Sequence, residues 1–234
     1  MQYLKPRTNT ISYFFHKVSE FNYVAGNRLD NKEDVTERLI PLYHNLLNDE
    51  LQELIDAKDA ANELQELCDV AVVSYFLVKL YGEEINGFVP NPVITEGILD
   101  QIKGILLSKE VCAEDPECGL NKAIRALLMA MDTLSALNVD MFGSLHNVAD
   151  SNLSKFVKIG DNVPDDFELD EQMILTLEQA AIALEADGRY KDVQWSRVGD
   201  YIVFKDANGK VLKAPTFNSP QLKKYIGKSK KGAK

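Results

Sequence analysis

The sequence predicts an all-α helical bundle closed by a small C-terminal β-hairpin. Two observations carry that expectation: apolar residues recur at spacings of three and four over most of positions 11–156, and the clearest short β-type runs lie late, on either side of Asn208-Gly209. The composition agrees with a packed chain, since 45% of the 234 residues are hydrophobic and 26% charged.

Residues 11–24 (ISYFFHKVSEFNYV) carry aromatic and aliphatic side chains at mixed helical spacing, and Ala25-Gly26-Asn27 interrupts them, which predicts a short first helix. Over 32–59 the apolar positions Val35, Leu39, Leu42, Leu46, Leu47, Leu51, Leu54 and Ile55 mark one face of an amphipathic helix. Pro41 lacks an N–H and either kinks that helix or starts it afresh. The pattern returns over 63–81 with Leu64, Leu67, Val70, Ala71, Tyr75 and Val78, and stops before Gly82. Residues 83–119 hold Pro90, Pro92 and Pro116 around one short helix at 96–107. Helices are expected at 120–137, 141–156 and 169–186, the last stopped by Asp187-Gly188. Over 201–213 two apolar runs flank Asn208-Gly209, a pair that tolerates positive φ at both positions of a hairpin turn. Trp195 is expected to pack on that hairpin.

The change of character after Gly160-Asp161-Asn162 and Pro164 divides the chain into a bundle over 1–160, interrupted by an insertion at 83–121, and a helix-plus-hairpin extension over 161–226. The basic stretch 227–234 lacks apolar anchors and is expected to be disordered.

The 36 acidic side chains outnumber the 26 basic ones for a net charge of −10, which argues against binding a nucleic-acid polymer, whose phosphates attract basic faces. Cys68, Cys112 and Cys118 are odd in number and follow no signal segment, so they are read as thiols of a reducing compartment, which predicts a cytoplasmic protein. With no partner cysteine pair or nearby histidine, a zinc site is not expected. His16, His44 and His146 stand apart and read as structural or surface residues. No apolar run reaches the length of a membrane span.

The chemistry concentrates on the second and third helices. Glu50, Glu53 and Asp56, then Glu63, Glu66 and Asp69, are each three apart, so each trio forms one slowly drifting stripe beside an apolar one. In an antiparallel helical hairpin, residues whose numbers share a constant sum lie at the same height. A turn near Asp59-Ala60 therefore pairs Glu50 with Asp69, Glu53 with Glu66 and Asp56 with Glu63. An unbroken helix from Pro41 to Tyr81 would be far longer than globular helices usually are, which favours the hairpin; Asn62 and Gln65 resemble a capping box for the new helix. Facing carboxylates across helices about 8–10 Å apart would hold one or two divalent cations, and an oxygen-only set selects Mg²⁺ or Mn²⁺ over zinc. Without a cation such like charges raise their own pKa values.

Glu50-x-x-Glu53 followed by Glu66-x-x-Asp69 resembles the ExxE and ExxD signature of the all-α nucleoside triphosphate pyrophosphohydrolases, the group of MazG-like enzymes, phosphoribosyl-ATP pyrophosphohydrolase and dimeric dUTPases. Residues 142–156 resemble the family segment ending in N-M-S-K, matching at Asn152, Ser154 and Lys155. Asp206-Ala-Asn-Gly-Lys-Val-Leu-Lys-Ala-Pro215 resembles the D-G-K-V-L-K-G-P hairpin of phage-type members. The likeness covers 11–80 and 124–220; the insertions at 83–121 and 161–197 depart from it.

The resemblance implies Mg²⁺-dependent hydrolysis of a nucleoside triphosphate, with a deoxynucleotide favoured, to monophosphate and pyrophosphate, in housecleaning of the nucleotide pool or dNTP metabolism. Glu50, Glu53, Glu66 and Asp69 would hold the metal, and Glu53, in the middle of its stripe, would serve as the catalytic base. Lys155 would contact a phosphate, and Asn152 a phosphate or the base. Family members are typically dimers or tetramers, so a homo-oligomer is expected. The competing readings are a non-catalytic helical protein whose acidic stripe binds a basic partner, and a dedicated phosphoribosyl-ATP or dUTP hydrolase. Phosphate-binding glycine loops, H-E-x-x-H and an EF-hand are absent from the sequence.

Overall fold

A computed structural model describes residues 11–85, 104–105, 116–137, 139–164, 166–186 and 188–227. The chain is mostly helical, with a small three-stranded antiparallel sheet. It forms two compact units: one from the described parts of 1–19, 28–149 and 220–234, the other from 20–27 and 150–219.

The chain enters through helix α1 (Ile11–Ala25). In the first unit, one turn at Lys32–Asp34, capped by the Asn31 side chain, runs into a π-helical stretch, Val35–Leu39, and then into α2 (Ile40–Asp56). Pro41, which has no N–H to give, sits in the first turn of α2, so the helical path absorbs it as a wider turn instead of breaking. After Ala57 to Asp59 the chain reverses into α3 (Ala60–Leu80), which settles the choice in favour of the hairpin. The cap is Asp59 and not Asn62: its carboxylate accepts from the N–H groups of Ala61 at 2.8 Å and Asn62 at 2.9 Å. Those same bonds hold the Asp59 carboxyl below its usual pKa.

Every residue from Val70 to Val78 is buried, which makes this part of α3 the centre of the core, covered on all sides. It packs against α2 and against α4 (Pro116–Ala136), which starts at the pre-organised Pro116, earlier than the apolar pattern alone indicated. The rings of Phe15 and Tyr75 stack with centroids 4.1 Å apart. Helix α5 (Met141–Leu153) follows Asp140, whose carboxylate accepts from the Gly143 N–H. Phe14, Leu39, Leu47, Leu51, Leu67, Leu77 and Met131 lie at the fully buried centre of this core.

In the second unit the sheet runs β1-β3-β2, from β1 (Val157–Lys158), β2 (Gln194–Val198) and β3 (Tyr201–Lys205). Central strand β3 buries Ile202 and Phe204 in one cluster and Tyr201 and Val203 in another, so both its faces are covered. Helix α6 (Glu171–Glu185), capped by Asp170, contributes Leu177 and Ala181 to the first of these clusters, where Trp195 of β2 also packs.

The hairpin differs from expectation. The strands turn at Gly199-Asp200, with Val198 paired to Tyr201 and Gly199 at φ +56, and the segment after Asn208-Gly209 adds only a bridge between Lys205 and Val211. The Asp206 carboxylate accepts from the N–H groups of Asn208 and Lys210, and of the Asn208-Gly209 pair only Gly209 takes positive φ, the arrangement of a turn followed by a glycine bulge.

The reading of all three cysteines as thiols is also corrected: Cys118 is disulfide-bonded, whereas Cys68 is free and buried. Pairing depends on which sulfurs meet in space, which an odd count does not decide. The expected helix at 96–107 lies outside the described residues except at 104–105, as do 228–234 of the basic tail. Among the described residues no helix is long and apolar enough to cross a membrane.

Candidate metal centre

Helices α2 and α3 lie side by side because Leu47, Leu51 and Leu54 on one and Leu64 and Leu67 on the other bury a shared apolar seam. The positions flanking that seam are the carboxylates. Glu50, Glu53 and Glu66 converge so that one ligand oxygen from each lies within 4.8 Å of the others. Glu53 is exposed, while Glu50 and Glu66 are half-buried. The Glu53–Glu66 rung is thus realised.

Asp69 enters through its field: its charge is one of the causes that move Glu66. Glu66 is pushed up to about 7, first by burial, then by the Asp69 and Glu53 charges and by a hydrogen bond with Glu53. A carboxyl–carboxyl hydrogen bond needs a proton, so Glu66 makes this bond to Glu53 only while it is itself protonated, a form that its raised pKa extends toward neutral pH. Asp56 and Glu63 are both exposed and lie outside this three-residue cluster, and Asp56, the last residue of α2, accepts from Gln52 at 3.0 Å.

Asn152 and Lys155 belong to the second unit. Asn152 lies in the last turn of α5, and its carbonyl accepts from the Lys155 N–H at 3.1 Å. The Lys155 ammonium stands 5.3 Å from the centroid of the Phe21 ring, and the Lys155 carbonyl accepts from Ala214.

Among the histidines, His16 is exposed, His146 is buried edge-on against Tyr13, and His44 Nε2 lies 2.8 Å from the Tyr81 hydroxyl. Sequence reasoning also missed Lys122, which is only 4% exposed and donates to Asn48 Oδ1 at 2.7 Å. The available signal was a lysine on the same face of α4 as Ala126 and Met129, where an apolar residue is the norm.

A carboxyl that ordinarily ionises near 4.5 but titrates near 7 makes a testable statement. Below about pH 4.5 the folded and unfolded chains are both protonated at Glu66. Between about pH 4.5 and 7 only the folded state keeps the proton, so this group's contribution to stability is lost progressively across that window and is gone once pH passes 7. A divalent cation bound at these carboxylates would have to displace that proton. Mg²⁺ is therefore expected to raise the melting temperature more at about pH 8 than at about pH 6, and Glu66→Gln to remove the difference. An equal Mg²⁺ shift at both values would show that Glu66 takes no part.

Set against family models, curated proteins and solved structures, the chain matches none.

Proposed function

We propose that this chain is a metal-dependent nucleoside triphosphate pyrophosphohydrolase of MazG-like type, releasing a (deoxy)nucleoside monophosphate and pyrophosphate. The observation that carries the reading is the convergence of Glu50, Glu53 and Glu66 from two helices to within 4.8 Å. The donor set is oxygen only, which fits Mg²⁺ or Mn²⁺, and the Glu66 pKa is raised first by burial and then by the neighbouring Asp69 and Glu53 charges. A bound divalent cation supplies the positive charge that a triphosphate needs and lowers the pKa of its water.

In this proposal Glu50, Glu53, Glu66 and Asp69 are the holding carboxylates, and Glu53, the exposed member, also accepts the proton of the attacking water. Lys155 and Asn152 are assigned to phosphate and base by resemblance alone. A homo-oligomer belongs to the same proposal; light scattering at micromolar concentration is expected to give a multiple of 26.3 kDa, and a monomer mass overturns that part.

The deciding experiment incubates the protein with each common NTP and dNTP, with Mg²⁺ and with EDTA, and separates products by anion exchange. Monophosphate and pyrophosphate are expected, only with metal. Diphosphate and orthophosphate would reassign the bond cleaved. No turnover on any of them, or on phosphoribosyl-ATP, would favour the acidic stripe as a surface for a basic partner. Turnover confined to phosphoribosyl-ATP or dUTP would narrow the reading to a dedicated hydrolase.

A further inference from the structure

The second unit carries an edge matched to a copy of itself. Strand β2 lies at one side of the sheet, whose order is β1-β3-β2. Its hairpin with β3 has a two-residue loop, Gly199-Asp200, closed by Val198 and Tyr201. In such a hairpin the closing pair exchanges both ladder bonds and the phase then alternates, so Val198, Ser196 and Gln194 direct their backbone groups at β3. Trp195 and Arg197 direct theirs the other way. The bonds of β3 show the same phase: Phe204, opposite Trp195, accepts from the Leu212 N–H at 2.9 Å on its far side. Among the described residues nothing pairs with the outward N–H and C=O groups of Trp195 and Arg197.

Edge strands that stay single usually carry a proline, a bulge or a charged side chain that guards the edge. The register of β2 with β3 is unbroken over five residues, Gln194–Val198, none of them proline. The Arg197 guanidinium is folded back, donating to the carbonyls of Phe167 at 2.5 Å and Pro164 at 2.6 Å. Helix α6 packs over β2, and a groove of about 530 Å³ between them is lined by Glu178, Ile182, Glu185, Val193 and Trp195. Ile182 is 67% exposed; Leu175, seven residues earlier and so on the same helix face, is 47% exposed.

We infer that β2 is the pairing edge of a homodimer, in which two copies join their sheets antiparallel about a two-fold axis at Ser196. This names the interface of the homo-oligomer proposed above and rests on that reading. The register follows from the backbone, because outward groups must meet outward groups. Trp195 against Arg197 of the second copy uses all of them, each of the two symmetry-related pairs exchanging both its bonds. The contact is isologous, with the same strand on both sides, which closes the assembly at two. Paired strands lie about 4.8 Å apart, so the two α6 helices come onto the same face of the joined sheet, and the apolar side chains of Leu175 and Ile182 form the seam between them.

The test places one cysteine. Ser196 is exposed and, on the axis, meets its own copy in a pair whose Cα atoms are about 4.5 Å apart, within disulfide reach. Ser196→Cys is expected to give a covalent dimer when diamide takes up the two electrons and two protons released by the new bond, read by non-reducing electrophoresis against the parent chain. Gln194→Cys, exposed on the same face of the strand, is the control: in this register its copy lies about 13 Å away, too far to cross-link. Ile182→Lys, at an exposed position, is expected to weaken dimerisation at least about tenfold in analytical ultracentrifugation, with the circular dichroism spectrum unchanged. A parent chain of monomer mass overturns the homo-oligomer and this interface together. A multimer in which Ser196→Cys cross-links no better than Gln194→Cys, or which Ile182→Lys leaves intact, keeps the oligomer and overturns the interface. None of these readouts involves turnover, so the hydrolase reading stands or falls separately.

Discussion

Glu53→Gln is expected to lower turnover at least about 100-fold while the protein stays folded, since removal of a positioned general base costs about 10²–10⁴-fold. The amide keeps the size of the carboxyl but cannot take a proton from water. The side chain is exposed and bears on none of the core, so the substitution creates no cavity. It also removes one of the charges that push Glu66 up, which relieves repulsion in the metal-free protein. Circular dichroism melts and product analysis by anion exchange on the same preparations check both halves. Activity within about tenfold of the parent would remove Glu53 from the chemistry.

Leu67→Ala should do the opposite. Leu67 follows Glu66 directly, yet it is 0% exposed and lies in the seam between α2 and α3. Truncation leaves a cavity in a core that cannot collapse freely, at a cost of about 2–5 kcal/mol. Urea unfolding followed by circular dichroism measures it. A loss below about 1 kcal/mol would mean that α3 is not the central element described above. Neighbouring positions on one helix thus separate the two roles, with chemistry on one face and cohesion on the other.

The same periodicity that separates those roles is why this part of the molecule was readable in advance. Carboxylates three apart beside leucines three and four apart define two faces, and the only open question was whether the chain turned between them. Asp59 answers it, a residue whose capping role depends on an extended backbone conformation that no spacing rule reveals.

Elsewhere the signal was too short or too distant. Strand β1 is two residues long and exists because β3 offers it an edge. Asn208-Gly209 does lie in a turn, held by the Asp206 side chain and closed by a single bridge from Lys205 to Val211, but the paired strands turn at Gly199, which carried no comparable signal. Lys122 meets Asn48 across 74 positions, and His44 meets Tyr81 across 37, so each pair was invisible until the helices were assembled.

The brevity of the link from Ala57 to Asp59 reaches beyond geometry into time. Contacts between residues near in sequence close before distant ones, because less chain entropy is lost in bringing them together. The α2–α3 hairpin is the most local helix pair in the first unit, whereas α4 joins α3 only after a long excursion of the chain. The carboxylates are therefore expected to meet early on the folding path, before the bundle has closed. A divalent cation supplied during refolding is expected to accelerate folding as well as to slow unfolding.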